Sequence, residues 1–168
     1  MKRLLMAFVA ICLSALVVSA MSFAGTDFSG AWELDKSKSE GLGGPQGGSG
    51  PDSVTWTITQ DAKTITIATK TMMNGQERSQ SLTYNLDGSE TTAEVPGRGG
   101  QMSKVALKAK WQGDGKILEL TRTRSFNEMQ ITTTEHLELA EGGKVLKAHS
   151  STQTQQGSRE TKYLFNKK

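Results

Sequence analysis

Beyond residue 24 this chain has no cysteine; Cys12 is the only one in the sequence. Residues 25–168 therefore form no disulfide, offer no thiolate to a metal and hold no cysteine nucleophile. A second long hydrophobic run is missing too. Only Leu4–Val18 is long, apolar and uncharged, so no membrane insertion is expected once that segment is gone. Helical periodicity is missing throughout. The three prolines, Pro45, Pro51 and Pro96, sit in or beside Gly-rich stretches and interrupt no periodic segment. Charge bias is small. Of 20 Lys and Arg against 17 Asp and Glu, Lys2 and Arg3 belong to the first 24 residues, which hold no acid. The remainder is close to neutral, without the basic stripe that nucleic-acid binding requires, and no nucleic-acid partner is expected. Histidine is confined to His136 and His149. The Gly-rich stretch 35–52 lacks the Lys-Ser/Thr of a phosphate loop and leads into no helix.

What is present begins with a leader. Lys2 and Arg3 precede the apolar run, and Ser22-Phe23-Ala24 places small residues at the two positions a signal peptidase reads. Val18-Ser19-Ala20 fits the same pattern as a second cleavage point. The expectation is a signal peptide over residues 1–24 and one domain over 25–168, exported to a bacterial periplasm or secreted. Without disulfides that domain depends on its core, and its length is sufficient to bury one.

Nearly every later segment alternates apolar and polar residues with period two and is rich in Thr, Ile, Val and Leu. Strands are predicted near 28–34, 53–60, 63–72, 77–86, 89–95, 102–112, 116–126, 129–140, 144–154 and 159–166, separated by short turn signals. Two stretches break the rhythm: the Gly-rich loop 35–52 and a shorter one at 96–100. Turn positions fix a register for each hairpin. Asp61-Ala62 pairs Ile58 with Ile65 and Trp56 with Ile67; Asn74-Gly75 pairs Ile67 with Leu82. Asp114-Gly115 pairs Trp111 with Leu118 and Lys110 with Glu119. Asn127-Glu128 sets Arg122 opposite Thr133. Gly142-Gly143 pairs Leu139 with Leu146, Glu138 with Lys147 and His136 with His149. Gln155–Ser158 sets Thr152 opposite Thr161 and Ser150 opposite Tyr163. One apolar face then runs unbroken through successive hairpins, with charge pairs on the other. The fold class is all-β: an up-and-down antiparallel meander of about ten strands, which closes into a barrel to remove its edges.

Phe28-Ser29-Gly30-Ala31-Trp32 resembles the F-x-G-x-W start of lipocalin-like (calycin-type) barrels. The rest of the chain is similar to small exported bacterial lipocalin-like proteins, threonine-rich hairpins that end near Tyr-x-Phe. The resemblance implies that Gly30 permits a bend and that Trp32 plugs one end of the barrel. Ten strands fit the fatty-acid-binding branch of that superfamily better than the eight-stranded branch. The lid helices of that branch are absent, and the Gly-rich loop takes their place.

The register also aims charge inward. Arg122 and Arg124 share a face with Leu118 and Leu120, and Glu135, Arg159 and Tyr163 join the same interior. The opposite wall holds Val54, Trp56, Ile58, Ile65, Ile67 and Leu82. An apolar wall facing an arginine-rich wall suits a small amphipathic or anionic ligand, because arginine's forked donors match a carboxylate. The candidate ligand-binding residues are Arg122, Arg124, Arg159, Tyr163, Glu135, Trp32 and Trp56. Fatty-acid-binding proteins similarly hold a carboxylate with inward Arg and Tyr, although no motif here matches theirs residue by residue. The competing reading is a filled barrel with an internal Arg–Glu network, serving as a non-catalytic envelope interaction or structural module. His136 and His149 stand opposite each other on the outer face beside Glu119, a sparse candidate metal pair. Met72, Met73, Met102 and Met129 read as scattered core and turn residues. With both histidines outward and Glu135 the single acid placed inside, no nucleophile–base arrangement or carboxylate pair forms. No catalysis and no cofactor are expected.

Overall fold

The computed structural model describes residues 25–43, 48–96, 101–126 and 129–168. The signal peptide expected over 1–24, the centre of the Gly-rich loop at 44–47, the tip of the 96–100 stretch and the turn expected at Asn127-Glu128 lie outside these residues. Ten strands follow in order: β1 (Gly30–Leu34), β2 (Ser53–Gln60), β3 (Thr64–Met73), β4 (Gln76–Asn85), β5 (Thr91–Pro96), β6 (Met102–Gln112), β7 (Ile117–Phe126), β8 (Met129–Ala140), β9 (Val145–Thr154) and β10 (Gly157–Lys167). Each boundary falls within two residues of its predicted place.

All pairings are antiparallel. β1 pairs with both β2 and β10, which brings the first and last strands together and rolls the sheet into a nearly closed barrel. β4 and β5 stand at the two ends of the sheet order, and no ladder joins them among the described residues.

Alternation drives this arrangement. Along β2, Val54, Trp56 and Ile58 are buried between more exposed threonines, the pattern expected when one face of a β-branched-rich strand packs on a core. The β3–β4 hairpin turns on Asn74 and Gly75 with φ of 52° and 73°, the left-handed pair a tight primed turn needs. The predicted pairs Ile67–Leu82, Lys110–Glu119, Arg122–Thr133 and His136–His149 all form.

Two hairpins differ. Ile58 pairs with Ile67, not Ile65, because the turn after β2 is wider than two residues. The Asp61 carboxylate accepts from the backbone N–H of both Lys63 and Thr64 at 2.7 Å, stabilising that wider turn. At the far end, Thr161, not Tyr163, pairs with Ser150, because Gln155 and Gln156 alone make the turn and Gly157 already pairs with Thr154. Both slips are by two residues, so every side chain keeps its face.

One end of the barrel is packed solid. Phe28 and Trp32 are completely buried there. The Trp32 indole N–H donates to the Phe28 carbonyl at 3.0 Å, Phe28 stacks on Trp111 at 6.1 Å, and the Lys167 ammonium lies 5.2 Å from the Trp32 ring centroid. Gly30 has φ of +145°, a conformation that only glycine adopts without strain. It lets the chain bend between Phe28 and Trp32.

Candidate functional site

Above the packed end the barrel is hollow. A cavity of about 1230 Å³ occupies its other half and reaches the surface between the β3–β4 and β9–β10 turns. Val54, Trp56, Ile67 and Leu82 from β2–β4 form the apolar wall. Trp56 is braced from below by Phe165, with ring centroids 4.4 Å apart. The facing wall, from β7–β10, is polar. Thr133 and Thr152 are joined hydroxyl to hydroxyl at 3.1 Å, and Ser150 and Thr161 are buried beside them.

Of the seven candidate ligand-binding residues, the structure places Arg122, Arg124, Glu135, Arg159, Tyr163 and Trp56 on the cavity wall. Trp32 lies outside it, sealed in the packed end. The separation follows from position along the strands: Trp32 pairs with Trp56, but its side chain packs down onto Phe28 while that of Trp56 faces the lumen.

The three arginines are engaged differently. The Arg122 guanidinium lies 3.3 Å from Oε1 of Glu135, which is itself buried. The negative charge of Glu135 holds Arg122 above its ordinary pKa, outweighing the opposite effect of burial. Arg124, one step nearer the mouth, donates to the carbonyl of Pro96 at 3.3 Å. Arg159 donates to the carbonyls of Gly41 and Gly43. It therefore ties the described part of the Gly-rich loop across the β10 side of the mouth, where Glu40 also pairs with Lys162. Leu42 from this loop lines the cavity.

Two phenols complete the deep part of the site. Burial pushes the pKa of Tyr84 well up, against the opposing pull of Arg122. Burial also raises that of Tyr163, with the charge of Glu135 adding to the shift. Both stay protonated and able to donate. Tyr84 is absent from the sequence-derived set. It pairs with Ile65, on the same inward face as Ile67 and Leu82, but its phenol gains meaning only once β4 is seen to face Arg122 across the lumen.

The methionines also differ from expectation. Met72, Met73, Met102 and Met129 are not scattered: all lie at the open end, at the close of β3 and the starts of β6 and β8. Met73, Met102 and Met129 are exposed, and Met73 and Met129 line the mouth. On the outer face, His136 and His149 are cross-strand partners, but they turn to different carboxylates, Glu119 at 3.2 Å and Glu160 at 3.5 Å. No cluster of three metal-ligating His, Cys, Asp or Glu forms among the described residues.

A ten-stranded up-and-down antiparallel barrel, packed at one end and hollow at the other, matches the calycin, fatty-acid-binding-protein-like fold. Among solved structures the chain is similar to zebrafish ileal bile acid-binding protein complexed with cholic acid. The TM-score is 0.50 at 21% identity, over 84% of this chain and 98% of that one. At that identity the likeness is one of fold. No protein-family model and no curated protein matches the chain.

Proposed function

We propose that this protein is a non-catalytic, exported binding protein that holds a small amphipathic molecule inside its barrel. The cavity carries the reading: about 1230 Å³, apolar on one wall and hydroxyl- and arginine-lined on the other. That is the scale and chemistry of a ligand site. The apolar body of the ligand lies against Trp56, Ile67 and Leu82, and its polar groups face β7–β10. Three arginines against one carboxylate leave the wall net positive. An anionic group is met at the mouth by Arg124, whose hydrogen bond to Pro96 leaves other donors free to turn inward. That a barrel of the same fold was solved with cholic acid agrees with this ligand class. The leader of residues 1–24 supports export to a periplasm or the medium, with no membrane insertion after cleavage.

The Arg122–Glu135 ion pair is the feature that favours a filled structural barrel as the rival reading. The volume left open around that pair weighs against it. Native mass spectrometry of the purified protein, followed by denaturing extraction, separates the two. The expected result is a bound organic molecule that is released on unfolding and retained less well by Arg124→Ala. A protein that carries nothing and takes up no hydrophobic probe overturns the binding reading.

A further inference from the structure

The deep polar group of the cavity has an unusual balance. Arg122 arrives already neutralised by Glu135 Oε1. Glu135 Oε2 accepts no hydrogen bond among the described residues. The Tyr84 hydroxyl likewise makes none, although Tyr84 is only 1% exposed and lines the cavity. A donor cluster, a carboxylate oxygen and a phenol that accept or make no hydrogen bond among the described residues thus line one cavity, and Tyr84 feels the charges of both Arg122 and Glu135.

Three kinds of ligand group can be compared there. An apolar end would desolvate the phenol and the carboxylate oxygen without replacing their hydrogen bonds with water, which is unfavourable. A carboxylate would bring a second anion against Glu135 in a partly enclosed site, where like charges repel strongly. A hydroxyl satisfies both ends: its O–H donates to Glu135 in a charge-assisted bond, and its oxygen accepts from Tyr84 or Arg122.

We propose that Arg122, Glu135 and Tyr84 form a neutral recognition subsite that takes a hydroxyl group of the ligand, and that Glu135 excludes a carboxylate from this depth. This rests on the binding reading above and sharpens it. The ligand's acidic group, where it has one, stays near Arg124 at the mouth, and its buried portion carries an alcohol. Glu135 is then the residue that sets specificity between acids and alcohols.

The test uses matched probes, 1-dodecanol and dodecanoate, competing against the uncharged dye Nile red in the purified protein. The wild type is expected to bind dodecanol more tightly than dodecanoate. Glu135→Gln frees Arg122 and should reverse that order, the ratio of affinities moving by about 10- to 100-fold, as a hydrogen bond to a charged group implies. Tyr84→Phe, which keeps the ring, should weaken dodecanol alone by about 3- to 10-fold. An unchanged order in Glu135→Gln, or, should that variant not fold, an unchanged dodecanol affinity in Tyr84→Phe, refutes the subsite while leaving binding intact. Failure of Nile red and both probes to bind the wild type refutes the binding reading itself.

Discussion

Two tryptophans paired across β1 and β2 are expected to answer differently to the same substitution. Trp32 donates its indole N–H to Phe28 in a fully buried setting. Trp32→Phe removes that bond, worth about 1 kcal/mol, and leaves the Phe28 carbonyl without its partner. The smaller ring also opens a void in the packed end, costing about another 1 kcal/mol. A total of about 2 kcal/mol lowers the melting temperature by about 4–8 °C for a domain of this size. Ligand affinity at a temperature where the variant is folded should be unchanged, since Trp32 does not reach the cavity. Trp56→Phe makes the opposite trade. Among the described residues Trp56 makes no indole hydrogen bond, and it lines the apolar wall against Phe165. Stability should fall by less than about 1 kcal/mol, within the usual range for a modest core change, while Nile red affinity falls several-fold. Urea unfolding followed by circular dichroism gives the first quantity, and dye titration gives the second. If Trp32→Phe weakens dye binding more than Trp56→Phe does, the division of the barrel into a packed end and a binding end is wrong.

Three further outcomes follow from local geometry. Gly30→Ala forces a side chain into φ of +145° and sets its Cβ 3.0 Å from the flexible end of Lys167, so a loss of about 1–3 kcal/mol in urea titration is expected. Arg159→Ala should leave the melting temperature nearly unchanged but release Gly41 and Gly43, so that limited proteolysis cuts faster near residues 41–43 than in the wild type. Backbone N–H and hydroxyl donors hold the carboxyls of Asp35, Asp61 and Asp87 below the ordinary value of 3.8. Their contribution is fully present above that value and lost as pH falls through the lower folded-state values. Acid unfolding of Asp61→Asn should accordingly show a shallower stability loss below pH 3.8 than the wild type.

The strand pattern, the faces and most registers were legible because each rests on parity or on a turn residue with positive φ. Asn74-Gly75 and Gly142-Gly143 announce their own geometry. The two slipped hairpins escaped because a slip of two residues leaves every side chain on the same face, so hydrophobic alternation is blind to it. Only the Asp61 carboxylate's capture of two backbone N–H groups distinguishes the wider turn, and no apolar residue records that. Inward Arg122, Arg124, Glu135 and Arg159 could be placed by counting along strands. Their partners could not be read the same way. Whether Arg122 meets Glu135, and whether Arg159 faces the lumen or ties down the loop at Gly41 and Gly43, depends on depth and on a loop whose path alternation does not encode. Trp32 shows the same limit: parity puts it inside, the F-x-G-x-W resemblance implies a plug, and the packing of Phe28 on Trp111 shows that inside here means sealed.

The junction of β4 and β5 has a mechanical consequence. Elsewhere around the wall, neighbouring strands are tied by main-chain bonds that break if the strands are drawn apart. At this one place no main-chain ladder joins the neighbours among the described residues, so parting them breaks no ladder bond. The wall is a hoop with a single unriveted joint. On the binding reading, a bulkier guest is expected to widen that joint while the ladders stay whole. Girth in such a vessel is the dimension left without a main-chain tie, whereas the depth of the floor is set by the sealed Trp32 and Phe28.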